Sequence, residues 1–107
     1  FELFAREGAT VIGCGRRLAP LEEQLAKVKA AGGQGMVMSA DLSKVEDCNR
    51  LIDDTIKAYG RVDALVHSAS VGWSWSHVSP NSMNDIANTP PDKWLEVVGI
   101  NMHAAYY

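Results

Sequence analysis

The 107-residue chain is 47% hydrophobic and 21% charged, the composition of one globular domain with a single core, which would bury roughly 60–65% of the unfolded chain's surface. A formal net charge of −3, a pI near 5.5 and ten scattered Lys and Arg give no basic footprint for nucleic acid, and no segment reaches the roughly 18–20 apolar residues of a membrane span. Cys14 and Cys48 lack C-x-x-C spacing and read as reduced core thiols of a cytoplasmic protein, and no metal site is expected.

In chain order, Phe1 to Gly8 has the pattern of the last turns of an amphipathic helix closed by glycine, with no cap before it. Residues 10–14, Thr-Val-Ile-Gly-Cys, form a buried strand candidate. The next helix carries Leu18, Leu21, Leu25 and Val28 on one face, with Pro20 in its first turn and Gly32-Gly33 at its end. Residues 36–40 are the second strand, ending at Asp41. Ser43 and Glu46 fit a capping box for a helix whose inward stripe is Val45, Cys48, Ile52, Ile56 and Tyr59, with Gly60 as its stop.

Val62, Ala64, Leu65 and Val66 then make a short apolar run that stops at small polar residues, as a parallel strand buried on both faces would. The polar, aromatic stretch 71–88, with Trp73, Trp75, His77 and Met83, is longer than the usual connection and suits either a substrate wall or a surface insertion. Thr89-Pro90-Pro91-Asp92 opens a last helix with Thr89 as its cap, lined by Trp94, Val97, Val98, Asn101 and Ala105. No stop signal comes after it, and the expectation is of a piece of a longer protein. The alternation of strands and helices predicts an α/β fold, a doubly wound parallel sheet whose ligands bind beyond the carboxyl ends of the strands.

Two features at those carboxyl ends carry chemistry. Gly13-Cys14-Gly15 begins like a dinucleotide glycine loop, but Leu18 stands where the third glycine belongs, so the motif fails. Gly15-Arg16-Arg17 instead offers two guanidinium groups where an NAD site places an acid for the ribose 2′-hydroxyl, and a guanidinium suits a 2′-phosphate. The competing reading is a pair of solvated surface arginines. Asn101 lies on the apolar stripe of the last helix, where its amide needs partners, and Gly99 loosens the same turn.

Taken together, the stretch Phe4 to Ile12, Gly15-Arg16-Arg17, Ala40-Asp41-Leu42-Ser43, the stretch Tyr59 to Val66, Trp94 and Asn101 resemble a short-chain dehydrogenase/reductase along nearly the whole length. The resemblance implies a partial Rossmann-like fold, three strands and flanking helices with the first strand missing, in which residues 1–107 are part of a single NAD(P)-binding domain. The glycine-rich phosphate loop would lie upstream, and the catalytic Ser and Tyr-x-x-x-Lys downstream, so the piece alone would be inactive. In the 3-2-1-4 strand order of this fold, strand 36–40 should pair with 10–14, and 62–67 with a segment this chain lacks.

Residue by residue, the resemblance assigns cofactor contacts to Gly15, Arg16 and Arg17. Asp41 would accept from the adenine amino group beside the Leu42 backbone amide. His67-Ser68-Ala69-Ser70 occupies the place of the family's Asn-Asn-Ala-Gly, where only Ala69 matches and Ser70 brings a Cβ in place of glycine. Asn101 matches the active-site asparagine, which holds a water linking the helix backbone to the catalytic lysine; otherwise it is a buried amide bridging two helices. The implied protein is an NADP-preferring oxidoreductase (NAD possible) acting on a small carbonyl or alcohol, cytoplasmic and homo-oligomeric. An S-adenosylmethionine-dependent methyltransferase-like domain and a non-catalytic nucleotide-binding module remain open alternatives.

Overall fold

A computed structural model describes residues 1–72 and 87–107. Two compact units divide the chain, Phe1–Asp41 with Glu46–Asp63, and Leu42–Val45 with Ala64–Tyr107.

In the first unit, helix α1 (Glu2–Arg6) leads to strand β1 (Val11–Gly15), helix α2 (Leu18–Ala30), strand β2 (Gly35–Ser39) and helix α3 (Val45–Tyr59). The strands run parallel in register from Val11 opposite Gly35 to Gly15 opposite Ser39, so the expected pairing of these two segments holds, each strand displaced by one residue from its expected bounds. Parallel neighbours need a crossover, and α2 supplies it, packing on both strands while α1 packs on α2. Val28, 3% exposed, is the deepest residue of that helix, as its place in the apolar series requires. The chain then leaves α2 through Gly32 at φ +81°, a left-handed conformation open to glycine, with the Gly32 and Gly33 amides donating to Lys29 and Val28 carbonyls at 2.9 Å.

The α3 stripe is rotated from expectation. Cys48 and Thr55 are buried, Leu51, Ile52 and Tyr59 part-buried, while Val45 and Ile56 are exposed. Thr55 tolerates burial because its hydroxyl donates to the Leu51 carbonyl one turn back, at 2.7 Å.

The third strand expected at 62–67, which spans the division between the units, is not formed, and no ladder joins it to β1, as the expected strand order requires. Residues 61–72 carry no ladder, and Leu65 and Val66 are 63% and 66% exposed. A strand exists only against a partner, and the described residues hold none for this segment, so an apolar run alone does not make one. Helix α4 (Pro91–Val98) is next, continued by a π-helical turn over Gly99–His103 and a last turn α5 (Ala104–Tyr106). Pro90, in extended geometry at φ −63° and ψ 146°, takes the cap position expected of Thr89, with Pro91 in the first turn. Val97 and Ile100 are buried, whereas Trp94, expected on the inward stripe, is 47% exposed. Trp73, Trp75, His77 and Met83 lie outside the described residues. Among the described residues no helix is long and apolar enough to cross a membrane.

Candidate cofactor site

The carboxyl end of β1 delivers Gly15, Arg16 and Arg17 to the start of α2. Arg17 sits at the cap position of that 13-residue helix in extended backbone geometry, with no acid in the first turn to neutralise the helix's positive end. Gly15, Arg16, Arg17, Pro20 and Leu21 line an open cleft of about 440 Å³. Both arginines are exposed, and among the described residues neither forms an ion pair, in contrast to Arg50 and Arg61, which pair with Asp47 and Asp63. A wider cleft of about 530 Å³, bordered by Arg6, Thr10, Lys27 and Gln34, lies at the amino ends of the same strands, the end opposite to where open parallel sheets bind ligands.

Beside Arg16, the end of β2 is tightly specified. The Ala40 amide donates to the Gly15 carbonyl at 3.1 Å, extending the ladder by a rung, and the Ser39 hydroxyl reaches the Arg16 carbonyl at 3.4 Å. The Asp41 amide donates to Asp47 Oδ2 at 2.7 Å. Arg50 Nη2 donates both to Asp47 Oδ1, at 3.0 Å, and to the Ser39 carbonyl, at 2.9 Å. Asp47 and Arg50 escaped the sequence reading because an acid and a base three apart on a charged helix look like any exposed pair. The signal was their position, one turn beyond the strand end that carries Asp41.

Burial, and then the neighbouring Cys48, push the Cys14 thiol above its ordinary value. Burial, and then Asp47 and Asp41, do the same to Cys48.

In the second unit, His67 is part-buried, and its Nε2 is enclosed without a hydrogen-bond partner among the described residues, whereas Ser68, Ala69 and Ser70 are exposed. Asn101 finds both of its partners on one residue. Its Oδ1 accepts from the Val71 amide and its Nδ2 donates to the Val71 carbonyl, each at 3.0 Å. The side-chain amide thus pairs with backbone as a strand neighbour would, fixing the chain just after Ser70. Gly72 comes next at φ +89°, where a Cβ would come within 2.6 Å of Val97 Cγ2. Asn101 lies in the π-helical turn that begins at Gly99, so the loosening expected of that glycine is present as a widened turn. The structure therefore gathers Gly15, Arg16 and Arg17 around one cleft with the Asp41 backbone clamped nearby. His67 to Ser70 and Asn101 belong to the other unit, and Leu42, part-buried, stands at the division.

Comparison with known proteins agrees with this architecture. The chain is 30% identical over 100 residues to the uncharacterized oxidoreductase Lin0452 of Listeria innocua, covering 94% of this chain and 37% of the relative. It is 39% identical over 69 residues to 11-beta-hydroxysteroid dehydrogenase A of Arachis hypogaea, covering 64% of this chain and 20% of that protein. Among solved structures, a metagenomic short-chain oxidoreductase in complex with NADP matches with a TM-score of 0.84 and 26% identity, over 98% of this chain and 44% of that one. L-sorbose reductase of Gluconobacter frateurii, complexed with NADPH and L-sorbose, shares the fold with a TM-score of 0.84 at 23% identity, over 98% of this chain and 37% of that one. The chain thus spans less than half the length of these proteins. Its architecture is α/β and Rossmann-like in part, a parallel two-stranded sheet with flanking helices. The family model for short chain dehydrogenases matches residues 2–107, which sets the methyltransferase alternative aside: the chain belongs to the short-chain dehydrogenase family.

Proposed function

We propose that residues 1–107 belong to one NAD(P)-binding domain and form the cofactor side of an NADP-preferring oxidoreductase that interconverts a carbonyl and an alcohol on a small molecule. The observation that carries the preference is Gly15-Arg16-Arg17 at the carboxyl end of β1: two guanidinium groups without ion pairs among the described residues, bordering a cleft at a helix start that carries no acid. A 2′-phosphate meets charge-assisted, paired donors there, whereas a bare ribose hydroxyl would meet no acceptor. Asp41 and the Leu42 amide hold the adenine, and His67, Ser68, Ala69 and Ser70 run along the ribose. The enclosed His67 Nε2, without a hydrogen-bond partner among the described residues, supports a polar ligand at that segment. The bound cofactor supplies the hydride. Asn101, through Val71, fixes the segment after Ser70 and takes part in the proton relay from the widened turn.

The NADP and NADPH complexes of the metagenomic oxidoreductase and L-sorbose reductase support the cofactor assignment, with NAD as the weaker ligand. Leu95, Met102 and Tyr106, exposed apolar side chains of the last helical segment, support a homo-oligomer of the whole, cytoplasmic protein.

Dissociation constants for NADPH and NADH in the full-length protein test the reading. Replacing Arg16 and Arg17 by alanine should cost NADPH about 1.5–3 kcal/mol and leave NADH nearly unchanged. Gly15→Asp should go further by adding a ribose acceptor and repelling the phosphate. The position accommodates a side chain, since a Cβ there meets nothing closer than Leu21 Cδ1 at 3.8 Å. A wild type that prefers NADH, or a double-alanine variant with unaltered NADPH affinity, would make the arginines mere surface charges.

A further inference from the structure

We infer that Asp47 and Arg50 are positioning residues that set the nucleotide base the site selects, an inference that rests on the cofactor assignment above. Three backbone groups meet at the end of β2, and each is bonded from a different direction. The Ala40 amide is held by the Gly15 carbonyl, the Ser39 carbonyl by Arg50, and the Asp41 amide by Asp47. Arg50 and Asp47 also bond each other, so carboxylate and guanidinium form a closed loop with the backbone of residues 39–41. Buried Ala40, 2% exposed, sits at its centre.

Such a loop restricts the backbone torsions leading into Asp41, and hence the direction from which its carboxylate meets a base. The Asp47 contact is charge-assisted and short, and Asp47 is the less exposed of the pair, its side chain at 28% against 46% for Arg50. The arrangement is thus more than a surface ion pair of the Lys27–Glu23 kind, which touches no backbone near a strand end. Adenine presents a donor amino group to an acceptor carboxylate, and hypoxanthine presents a carbonyl at the same position. A carboxylate held in one direction separates the two, and one free to turn away separates them poorly.

The test uses the full-length protein and two probes, NADPH and its reduced hypoxanthine analogue. The wild type should prefer the adenine form. Asp47→Ala and Arg50→Ala should weaken NADPH about tenfold and the hypoxanthine form by about twofold or less, so that the preference collapses. The turnover number at saturating cofactor should stay at the wild-type value, and Asp47→Glu and Arg50→Lys should restore part of the preference. If Asp47→Ala does not fold, Asp47→Asn keeps an acceptor for the Asp41 amide and should lose about threefold of the preference. Glu23→Ala, which breaks an exposed pair on α2, is the control and should leave the ratio alone. Variants that fold and keep the wild-type ratio would overturn the positioning role alone. A wild type that binds neither nucleotide, or both base forms equally, would overturn the cofactor assignment and this inference together.

Discussion

The segments Gly35–Ser39 and 62–67 begin from similar material, short apolar runs that give way to small polar residues, and they end in different states. The first is bonded residue for residue to β1 and closed at its end by Asp47 and Arg50; the second has no ladder and leaves Leu65 and Val66 mostly exposed. Side-chain pattern sets which residues can be buried, but the backbone of a strand is completed only by a neighbour offering donors and acceptors in register. Beyond the second segment, at Val71, the chain is held by a substitute. Asn101 supplies to Val71 the donor and the acceptor that a strand would have supplied.

The strongest way to break this contrast is at Gly35. An alanine there would drive its Cβ into the Val11 carbonyl, at the first pair of the ladder. Gly35→Ala should cost about 3 kcal/mol in urea denaturation of the full-length protein, against about 0.5 kcal/mol or less for Ser68→Ala in the unladdered segment. Equal losses would mean that the two segments do not differ in how they are secured.

Asn101→Ala comes next. It strands both backbone groups of Val71 in a part-buried site, so stability should fall by about 2 kcal/mol and hydrogen exchange at the Val71 amide should accelerate. Unchanged exchange would show that the substitute bonding carries no weight. Gly72→Ala should cost about 1–2 kcal/mol through its left-handed backbone and its clash with Val97. Val97→Ala in that background should relieve only the clash, and full recovery would deny the backbone share.

The same division governs how far the fold could be read from residues. The bounds of β1 and β2 and the apolar series of α2 from Leu21 to Val28 were legible within a residue or so, with Leu18 exposed, because their signals are local: apolar runs, Pro20 in a first turn, Gly32 at an end. Gly99 announced the loosened turn around Asn101. The lack of a ladder between 62–67 and β1 was legible from the expected strand order, whereas the loss of strand form in that run was not, since a partner's presence is no property of the run itself. Thr55 was hidden because its polarity is cancelled by a bond to its own helix, and Pro90 displaced Thr89 as the cap because the extended geometry of a residue before proline already suits that position. In the candidate site, the arginines were visible from their place after β1, while Asp47 and Arg50 act on backbone that only the folded turn brings to them.

The smallest expected effect concerns pH and belongs to the laddered unit. Cys14 and Cys48 both titrate above their ordinary value in the folded chain, chiefly from burial. Both are neutral in the folded and unfolded chain below the unfolded value of 9.0, where their full contribution to stability is present. That contribution is lost as pH rises through the folded values, since the unfolded chain can ionise first. Urea midpoints should therefore fall above pH 9.0 more steeply in the wild type than in a Cys14→Ala, Cys48→Ala variant. Parallel curves would remove the thiols from the account.

The π-helical turn at Gly99–His103 also acts as a phase shifter. A turn bonded five residues apart holds one residue more than an α-helical turn, so it shifts the phase of the sequence by one residue while α4 before it and α5 after it keep nearly the angular relation of a continuous α-helix. Deleting one residue within it would let the bonding revert to the α pattern and leave α5 facing nearly the way it does now, because the α turn completes the circle with one residue fewer. Tyr106, 88% exposed, would then keep its direction although one residue fewer separates it from α4. The five residues from Gly99 to His103 thereby decide which residues of the last turn fall on which face.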